Sequence, residues 1–349
     1  MEINLVSRTN DIITMAHGSG GVAMKELIDG LFIKQYVNKD IYLGDDATVL
    51  SNIKLKDNER IAISTDSYVI NPLFFPGGDI GKLAVCGTVN DVSTSGAKPV
   101  ALSLSFIIEE GFAISDLTKI CKSIAKTAEE AGVSIVTGDT KVVDKGKCDG
   151  LFINTTGIGI VSKDNALSGR NIKDGDAIII SGSIGDHGIA IMSTREGLNF
   201  SSNIKSDCAP LNSLIQSVRK VAPDIRCFRD PTRGGLASTL NELAMQSNVD
   251  ITISEEDVPI KKAVNSACEM LGYDVFQVAN EGKMVAVVPK SQAEKAVSSM
   301  RKNKYGKDAA IIGFAKKSKD KSPKVFVQTK YKTSRILDML VGEQLPRIC

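Results

Sequence analysis

The stretch SDLTKICKSIAKTAEEAGVSIVT, residues 115–137, decides the reading of the fold. Leu117, Ile120, Cys121, Ile124, Ala128 and Ala131 recur at helical spacing as one apolar stripe, with Ser115 placed as N-cap and Gly132 closing the helix. Val133 to Thr137 then turns β-prone, so a strand follows the helix directly. Working outward, residues 61–65 form another short β run, 79–96 a helix of small and apolar residues, and Leu151 to Val161 a further strand. The elements alternate without the regular spacing of a doubly wound sheet, which predicts an α+β domain.

The stretch 162–175, rich in Ser, Asn, Asp, Gly and Lys, reads as a linker, giving an expected first domain over 1–162 and a second over 163–328. The second opens with a buried-strand pattern, Asp176 to Ser181, that runs into the glycine-rich turn Gly182 to Gly188. Helical patterns follow at about 211–221, 234–247, 261–272 and 291–302, with strand patterns at 283–289, 309–314 and 324–328. This is α+β again. From 329 no long periodic element appears and Pro346 discourages a closing helix, so 329–349 is expected to be a mobile tail.

A length of 349 residues suits two domains, and 42% hydrophobic with 24% charged residues suits a globular chain. Lys and Arg total 43 against 41 Asp and Glu, so no global field draws nucleic acid or an anionic membrane. Residues 1–15 mix Glu2, Arg8 and Asp11 with apolar residues, unlike a secretory signal. No apolar run reaches the ~18 residues of a membrane helix. A cytoplasmic protein with neither nucleic acid nor membrane as partner is expected. Seven widely spaced cysteines without a CxxC pair, and two histidines, His17 and His187, argue against a zinc site or a disulfide framework. Most of the thiols read as small buried hydrophobes. Cys349, the last residue, does not fit that account.

Five aspartates follow strand-like runs or sit among Gly, Ser and Thr: Asp45 and Asp46 in Gly-Asp-Asp-Ala-Thr, Asp66 in Ser-Thr-Asp-Ser, Asp91 in Val-Asn-Asp-Val, and Asp139 in Thr-Gly-Asp-Thr. Magnesium bridges one or two carboxylates to phosphate oxygens, so carboxylates converging from strand ends suit Mg-ATP, while each alone also reads as a turn or capping residue. The loop Ala16-His17-Gly18-Ser19-Gly20-Gly21 either crowds backbone N–H groups around an anion or serves as a hinge. Gly182 to Gly188 is a phosphate site at a helix N-terminus or plain turn chemistry. In Arg229-Asp-Pro-Thr-Arg-Gly-Gly235, Asp230 caps the next helix or completes a magnesium shell, and Arg233 can grip a phosphate. Glu281, in Asn280-Glu-Gly-Lys283, is a general base or a satisfied turn residue.

Taken in order, these strings resemble the HypE family of hydrogenase-maturation carbamoyl dehydratases. The resemblance is carried by Ala16 to Gly21, Ser64-Thr-Asp-Ser-Tyr-Val-Ile70 with Pro72-Leu-Phe-Phe-Pro-Gly-Gly78, and Val136-Thr-Gly-Asp-Thr-Lys-Val-Val143. Gly185-Asp-His-Gly188, Thr232-Arg-Gly-Gly235, Asn280 to Lys283 and the terminal Pro346-Arg-Ile-Cys349 continue it, so it runs from about residue 15 to the chain end. It implies the two-domain PurM-like fold of aminoimidazole ribonucleotide synthetase and selenophosphate synthetase, with an N-terminal domain that forms a homodimer through its sheet. It implies ATP between the domains, on Gly18, Ser19, Gly20, Gly21, Asp45, Asp66, Asp139, Thr140 and Thr232. Magnesium is implied at Asp46, Asp66, Asp91 and Asp230, and catalysis at Cys349, Glu281, Lys141, Asp91 and Arg233. The expected reaction is ATP-dependent dehydration of an S-carbamoyl group on Cys349 to a thiocyanate. The implied partners are HypF as carbamoyl donor and the HypC-HypD complex as cyanide acceptor.

Two rival readings stand beside this one: a small-molecule kinase or synthetase of the same superfamily, of the thiamine-phosphate kinase or selenophosphate synthetase type, and a non-catalytic scaffold presenting Cys349. Selenophosphate synthetases carry a reactive Cys or selenocysteine near the glycine-rich loop, and this loop has none.

Overall fold

The computed structural model describes residues 58–162, 167–197, 204–320, 322–340 and 347–349, with 21–27, 29, 48, 49, 55 and 164 besides. The first half runs α1 (Val22–Leu27), β1 (Thr48–Val49), β2 (Glu59–Tyr68), a small hairpin of β3 (Phe74–Phe75) and β4 (Gly78–Asp79), and α2 (Ile80–Thr94). It continues with β5 (Lys98–Glu109), α3 (Ile114–Ala131), β6 (Ser134–Val143) and β7 (Leu151–Ser162). The sheet has the order β1-β2-β7-β5-β6 and is antiparallel except at β5–β6, the pair that α3 connects. Alternation along β7 points Leu151, Ile153 and Thr155 inward. Helix α2 is buried over nearly its whole length, because it lies against the sheet on one side and the second half of the chain on the other. Asp79 caps it, accepting from the backbone N–H of Gly81 at 2.8 Å and Lys82 at 3.0 Å.

The cap proposed for α3 is corrected. Its N-cap is Ala113 without a side-chain bond, and Ser115 lies inside the first turn, whereas Gly132 closes the helix at φ 68 as expected. Strand β5 was not among the strands expected from the sequence; it carries a register shift between Pro99 and Ala101, where the proline lacks an N–H.

The second half contains β8 (Ala177–Ile180), α4 (Asp186–Arg195), α5 (Asn212–Val221), β9 (Cys227–Arg229), α6 (Gly235–Ser247), β10 (Val249–Ser254) and α7 (Lys262–Leu271). Then come β11 (Val285–Val288), α8 (Ala293–Lys302), β12 (Ala310–Lys317), β13 (Val325–Gln328) and β14 (Ser334–Ile336). Its sheet has the order β14-β13-β10-β12-β8-β11-β9, and the fully buried β8 and β11 form its apolar centre. Within 162–175, Gly169 and Ile172 are buried. Within 329–349, β14 pairs with β13 and Ile348 is buried against the main core. No helix among the described residues is long and apolar enough to cross a membrane.

Candidate active site

Alternation on β2 sends Ser64, Asp66 and Tyr68 to the face that meets α2. Ser64 Oγ donates to Asp91 Oδ2 at 2.9 Å, and the Tyr68 hydroxyl lies 3.2 Å from Thr88 Oγ1. Asp66 Oδ1 accepts from the Ser67 N–H at 2.7 Å. Burial raises the Asp66 carboxyl above its ordinary range, against the pull of the Arg233 guanidinium. On the other side of α2, Asn90 Nδ2 donates to the Ala209 carbonyl at 3.1 Å while its Oδ1 accepts from Leu211 N at 2.7 Å. Two neighbouring residues on one helix thus face opposite halves of the molecule. The helix fixes Asp91 relative to the second half.

From that second half, the loop after β9 brings Asp230 and Arg233. Asn280 staples the loop: its amide donates to the Pro231 carbonyl at 2.9 Å, and its Oδ1 accepts from the Gly185 N–H at 2.7 Å. Gly235 turns this loop into α6 at φ 59, where a Cβ would stand 2.6 Å from the carbonyls of Phe276 and Val278. Next to Asn280, Glu281 donates its backbone N–H to Asp207 Oδ1 at 3.0 Å, and Asp207 in turn pairs with Lys283 at 3.1 Å. Gly282 lies so close to this segment that a Cβ would stand 1.8 Å from the Asp207 carbonyl.

The Glu281 side chain is 3% exposed, and its Oε1 has no hydrogen-bond partner among the described residues. Burial, then the neighbouring Cys208, Asp230, Asp66 and Asp207, push its carboxyl well above the ordinary range. The raised proton affinity keeps this carboxyl protonated over a wider pH range than an exposed one, with one oxygen unpartnered among the described residues.

The chain terminus enters this cluster. Val69, just past β2, donates its N–H to a main-chain carboxylate oxygen of Cys349 at 3.1 Å and accepts on its own carbonyl from Arg347 Nε at 3.0 Å. Arg347 also pairs with Asp149, and Arg195 donates to the Arg347 carbonyl. Burial pushes the Cys349 thiol up to about 12, with Arg233 opposing and Glu281, Asp66 and Asp91 adding to the rise. In return Cys349, Asp66, Glu281 and Asp91 hold the Arg233 guanidinium above its ordinary value. One cation, three acids and the Cys349 sulfur therefore act on one another, from β2, α2, two loops of the second half and the last residue.

Of the residues expected from the sequence, the structure gathers Asp66, Asp91, Asp230, Arg233, Glu281 and Cys349, and Thr232 turns the same loop by accepting from the Gly235 N–H at 2.9 Å. It keeps Asp139, Thr140 and Lys141 apart. Lys141 and Asp139 pair at 2.6 Å on the exposed strand β6, three strands from β2, or about 14 Å across the sheet. Gly18, Ser19, Gly20, Asp45 and Asp46 lie outside the described residues. Gly21 stands against the start of the tail, where Val22 N donates to the Leu340 carbonyl at 3.2 Å. The turn into α4 is turn chemistry: the N–H groups of Ile184, Gly185 and Gly188 are taken by Pro259, Asn280 and Ala279. Among the described residues no group of three or more His, Cys, Asp or Glu is arranged to hold a metal ion. Sequence reasoning gave no role to Ser64, Asn90, Asp207 or Arg195, and left His187 inside a motif without a task. Hydrophobic periodicity carries no signal for side chains that bond backbone groups distant in sequence.

Two family models match the chain, the AIR synthase related protein N-terminal domain over residues 44–161 and the C-terminal domain over 173–326. A relative from Azotobacter vinelandii named carbamoyl dehydratase HypE is 49% identical over 340 residues, covering 97% of this chain and 98% of its own. A solved structure described as the hydrogenase maturation protein HypE in complex with ATP is 46% identical with a TM-score of 0.81, covering 97% of this chain and 100% of its own. A structure of a HypE-HypF complex aligns with a TM-score of 0.84 at 52% identity, covering 90% of this chain and 99% of its own.

Proposed function

The chain belongs to the HypE family of carbamoyl dehydratases, enzymes of hydrogenase maturation, and we propose that it carries its own substrate as a carbamoyl thioester on Cys349, dehydrated with ATP to a thiocyanate. The thiocyanate then supplies the cyanide ligand of a nickel-iron hydrogenase. The observation that carries this reading is the seat of Cys349: the last residue of the chain lies among Arg233, Asp66, Asp91 and Glu281. Its thiol lies where Arg233, Glu281, Asp66 and Asp91, groups suited to phosphoryl transfer, act on it.

An amide oxygen leaves only once it is converted into a good leaving group. The carbamoyl oxygen attacks the γ-phosphorus of ATP, the bond to the β-phosphate oxygen breaks, and ADP departs with that electron pair. The carbon-oxygen bond then breaks, inorganic phosphate takes its pair, and the nitrogen gives up both protons as the C≡N bond forms. The sum is S-carbamoyl plus ATP to S-cyanate, ADP, phosphate and one proton. Arg233 spreads the charge on the transferring phosphoryl group. Glu281 accepts a nitrogen proton; its raised proton affinity makes it a stronger base when ionised, at the expense of a smaller ionised fraction.

The proposed nucleotide contacts are the Gly18–Gly21 loop, Asp45, Asp66 and Thr232. Asp66, Asp91 and Asp230, with Asp46, offer the hard oxygen donors that magnesium takes, and since the ion completes its shell with water and phosphate oxygens, a closed protein cage is not required. Bound there, magnesium would neutralise phosphate charge. Lys141, which would hold the carbamoyl oxygen, is too far across the sheet to serve its own chain's tail. The outward face of the first sheet, with Ile107 and Ile158 exposed, is the surface of the proposed homodimer, and Lys141, Asp139 and Thr140 are assigned to the second copy's site. HypF as donor is supported by the HypE-HypF complex among the similar structures; HypC-HypD as acceptor, in the cytoplasm, follows from the family.

Intact-protein mass spectrometry of the S-carbamoylated chain after Mg-ATP tests the reading. Loss of the mass of one water, absent in Cys349→Ala, is expected. Persistence of the carbamoyl mass under ATP turnover contradicts it.

A further inference from the structure

The buried histidine of the Gly185-Asp-His-Gly188 turn takes no part in the chemistry above, yet it touches the reactive terminus. His187 is 0% exposed, its ring stands edge-on to Phe75 at 5.6 Å, and its two nitrogens lie 2.8 Å from Ser206 Oγ and 2.8 Å from the Ile348 carbonyl. A carbonyl oxygen only accepts, so Nε2 must carry a proton. Burial holds the ring below its ordinary pKa and therefore neutral, which leaves Nδ1 as the acceptor of the Ser206 hydroxyl proton. Ser206 Oγ is itself fixed, accepting from the Cys208 N–H at 3.1 Å, while Ser206 N donates to the Pro76 carbonyl at 2.8 Å. The Ile348 carbonyl sets the tautomer, and the Ser206 hydroxyl complements it from behind.

We infer that His187 is a positioning residue for the chain terminus: supported by Ser206 at Nδ1, it holds the Ile348 carbonyl through Nε2–H and so seats the Cys349 sulfur beside Arg233. The other holds on this segment have the same character. Arg195 reaches the Arg347 carbonyl and the Asn71 carbonyl, and Val69 N–H reaches a main-chain carboxylate oxygen of Cys349. All of these grips read backbone atoms and leave the sulfur free to carry different groups. None of these hydrogen bonds uses the sulfur, so a carbamoyl or cyano substituent there removes no donor or acceptor from them. The latch therefore suits a terminus that must dock in several chemical states, and it deepens the dehydratase reading by naming what returns the tail to its pocket.

The test uses the full chain with a free thiol, without nucleotide or carbamoyl donor, so the latch can fail while dehydration stands, or stand where dehydration fails. Alkylation of Cys349 by iodoacetamide is followed by peptide mass, with exposed Cys121 as internal reference. Docked, the thiol is partly covered and held protonated, so alkylation reports chiefly the undocked fraction. Loss of the His187 bond in His187→Leu is expected to raise Cys349 alkylation on the order of tenfold, and to speed amide exchange at Val69, with Cys121 unchanged. His187→Gln, whose amide places a donor near the Nε2 position, is expected to stay within about twofold of the native rate. Should His187→Leu not fold, Arg195→Met takes its place with an expected rise of about fivefold. Alkylation of the leucine variant within about twofold of native, or a glutamine variant as reactive as the leucine one, overturns the proposal.

Discussion

Replacing Glu281 by glutamine separates chemistry from stability, because the structure predicts that the two move in opposite directions. The side chain is buried, one oxygen lacks a partner among the described residues, and burial with nearby Cys208 and acids raises its proton affinity. A carboxyl whose folded pKa lies above its unfolded value gives stability that is fully present below about 4.5 and is lost as pH rises through the folded value. Each tenfold of raised proton affinity costs the ionised folded chain about 1.4 kcal/mol. Glu281→Gln carries no such cost, so at neutral pH it should unfold at a higher temperature than the native chain, with the gap closing toward pH 4.5. Loss of the proton acceptor should meanwhile slow dehydration by about 10²–10⁴-fold, or roughly 3–5 kcal/mol in the barrier. Single-turnover mass analysis of the carbamoylated protein and thermal unfolding across pH supply both readings. A variant that dehydrates within about threefold of the native rate refutes the role of base. One that melts lower than native at neutral pH refutes the strained carboxyl.

Lys141→Ala should leave thermal stability within about 1 kcal/mol, since Lys141 and Asp139 are 68% and 58% exposed. It should abolish dehydration, and co-expression with Glu281→Gln should restore about a quarter of native activity, half the dimers being mixed with one intact site each. No recovery in mixed dimers would contradict the assignment of Lys141 to the second copy. Asn90→Ala strands the Ala209 carbonyl and the Leu211 N–H, and a loss of about 2–4 kcal/mol is expected by denaturant unfolding. Gly282→Ala places a Cβ against the Asp207 carbonyl, so a loss of about 1–3 kcal/mol should accompany slowed dehydration.

Much of the fold was legible because periodicity decides it: the stripe ending at Gly132, the buried run at 177–180 and the helices of the second half all follow from spacing. Strand β5 and the start of α3 were not legible, because a bulge and a capless N-terminus are settled by tertiary contacts rather than local preference. For the site, Asp66, Asp91, Arg233 and Glu281 announced themselves as polar residues in small-residue contexts. The grip of His187 on the Ile348 carbonyl did not, since it joins residues 161 positions apart through a backbone atom that every residue has.

In the proposed reaction the carbamoyl oxygen departs on the phosphate. Carbamoylating Cys349 with an ¹⁸O-labelled carbamoyl group, adding Mg-ATP and analysing the released inorganic phosphate by mass spectrometry tests it directly. The account predicts one labelled oxygen in the phosphate for each thiocyanate formed. Thiocyanate formed while the phosphate stays unlabelled would contradict it.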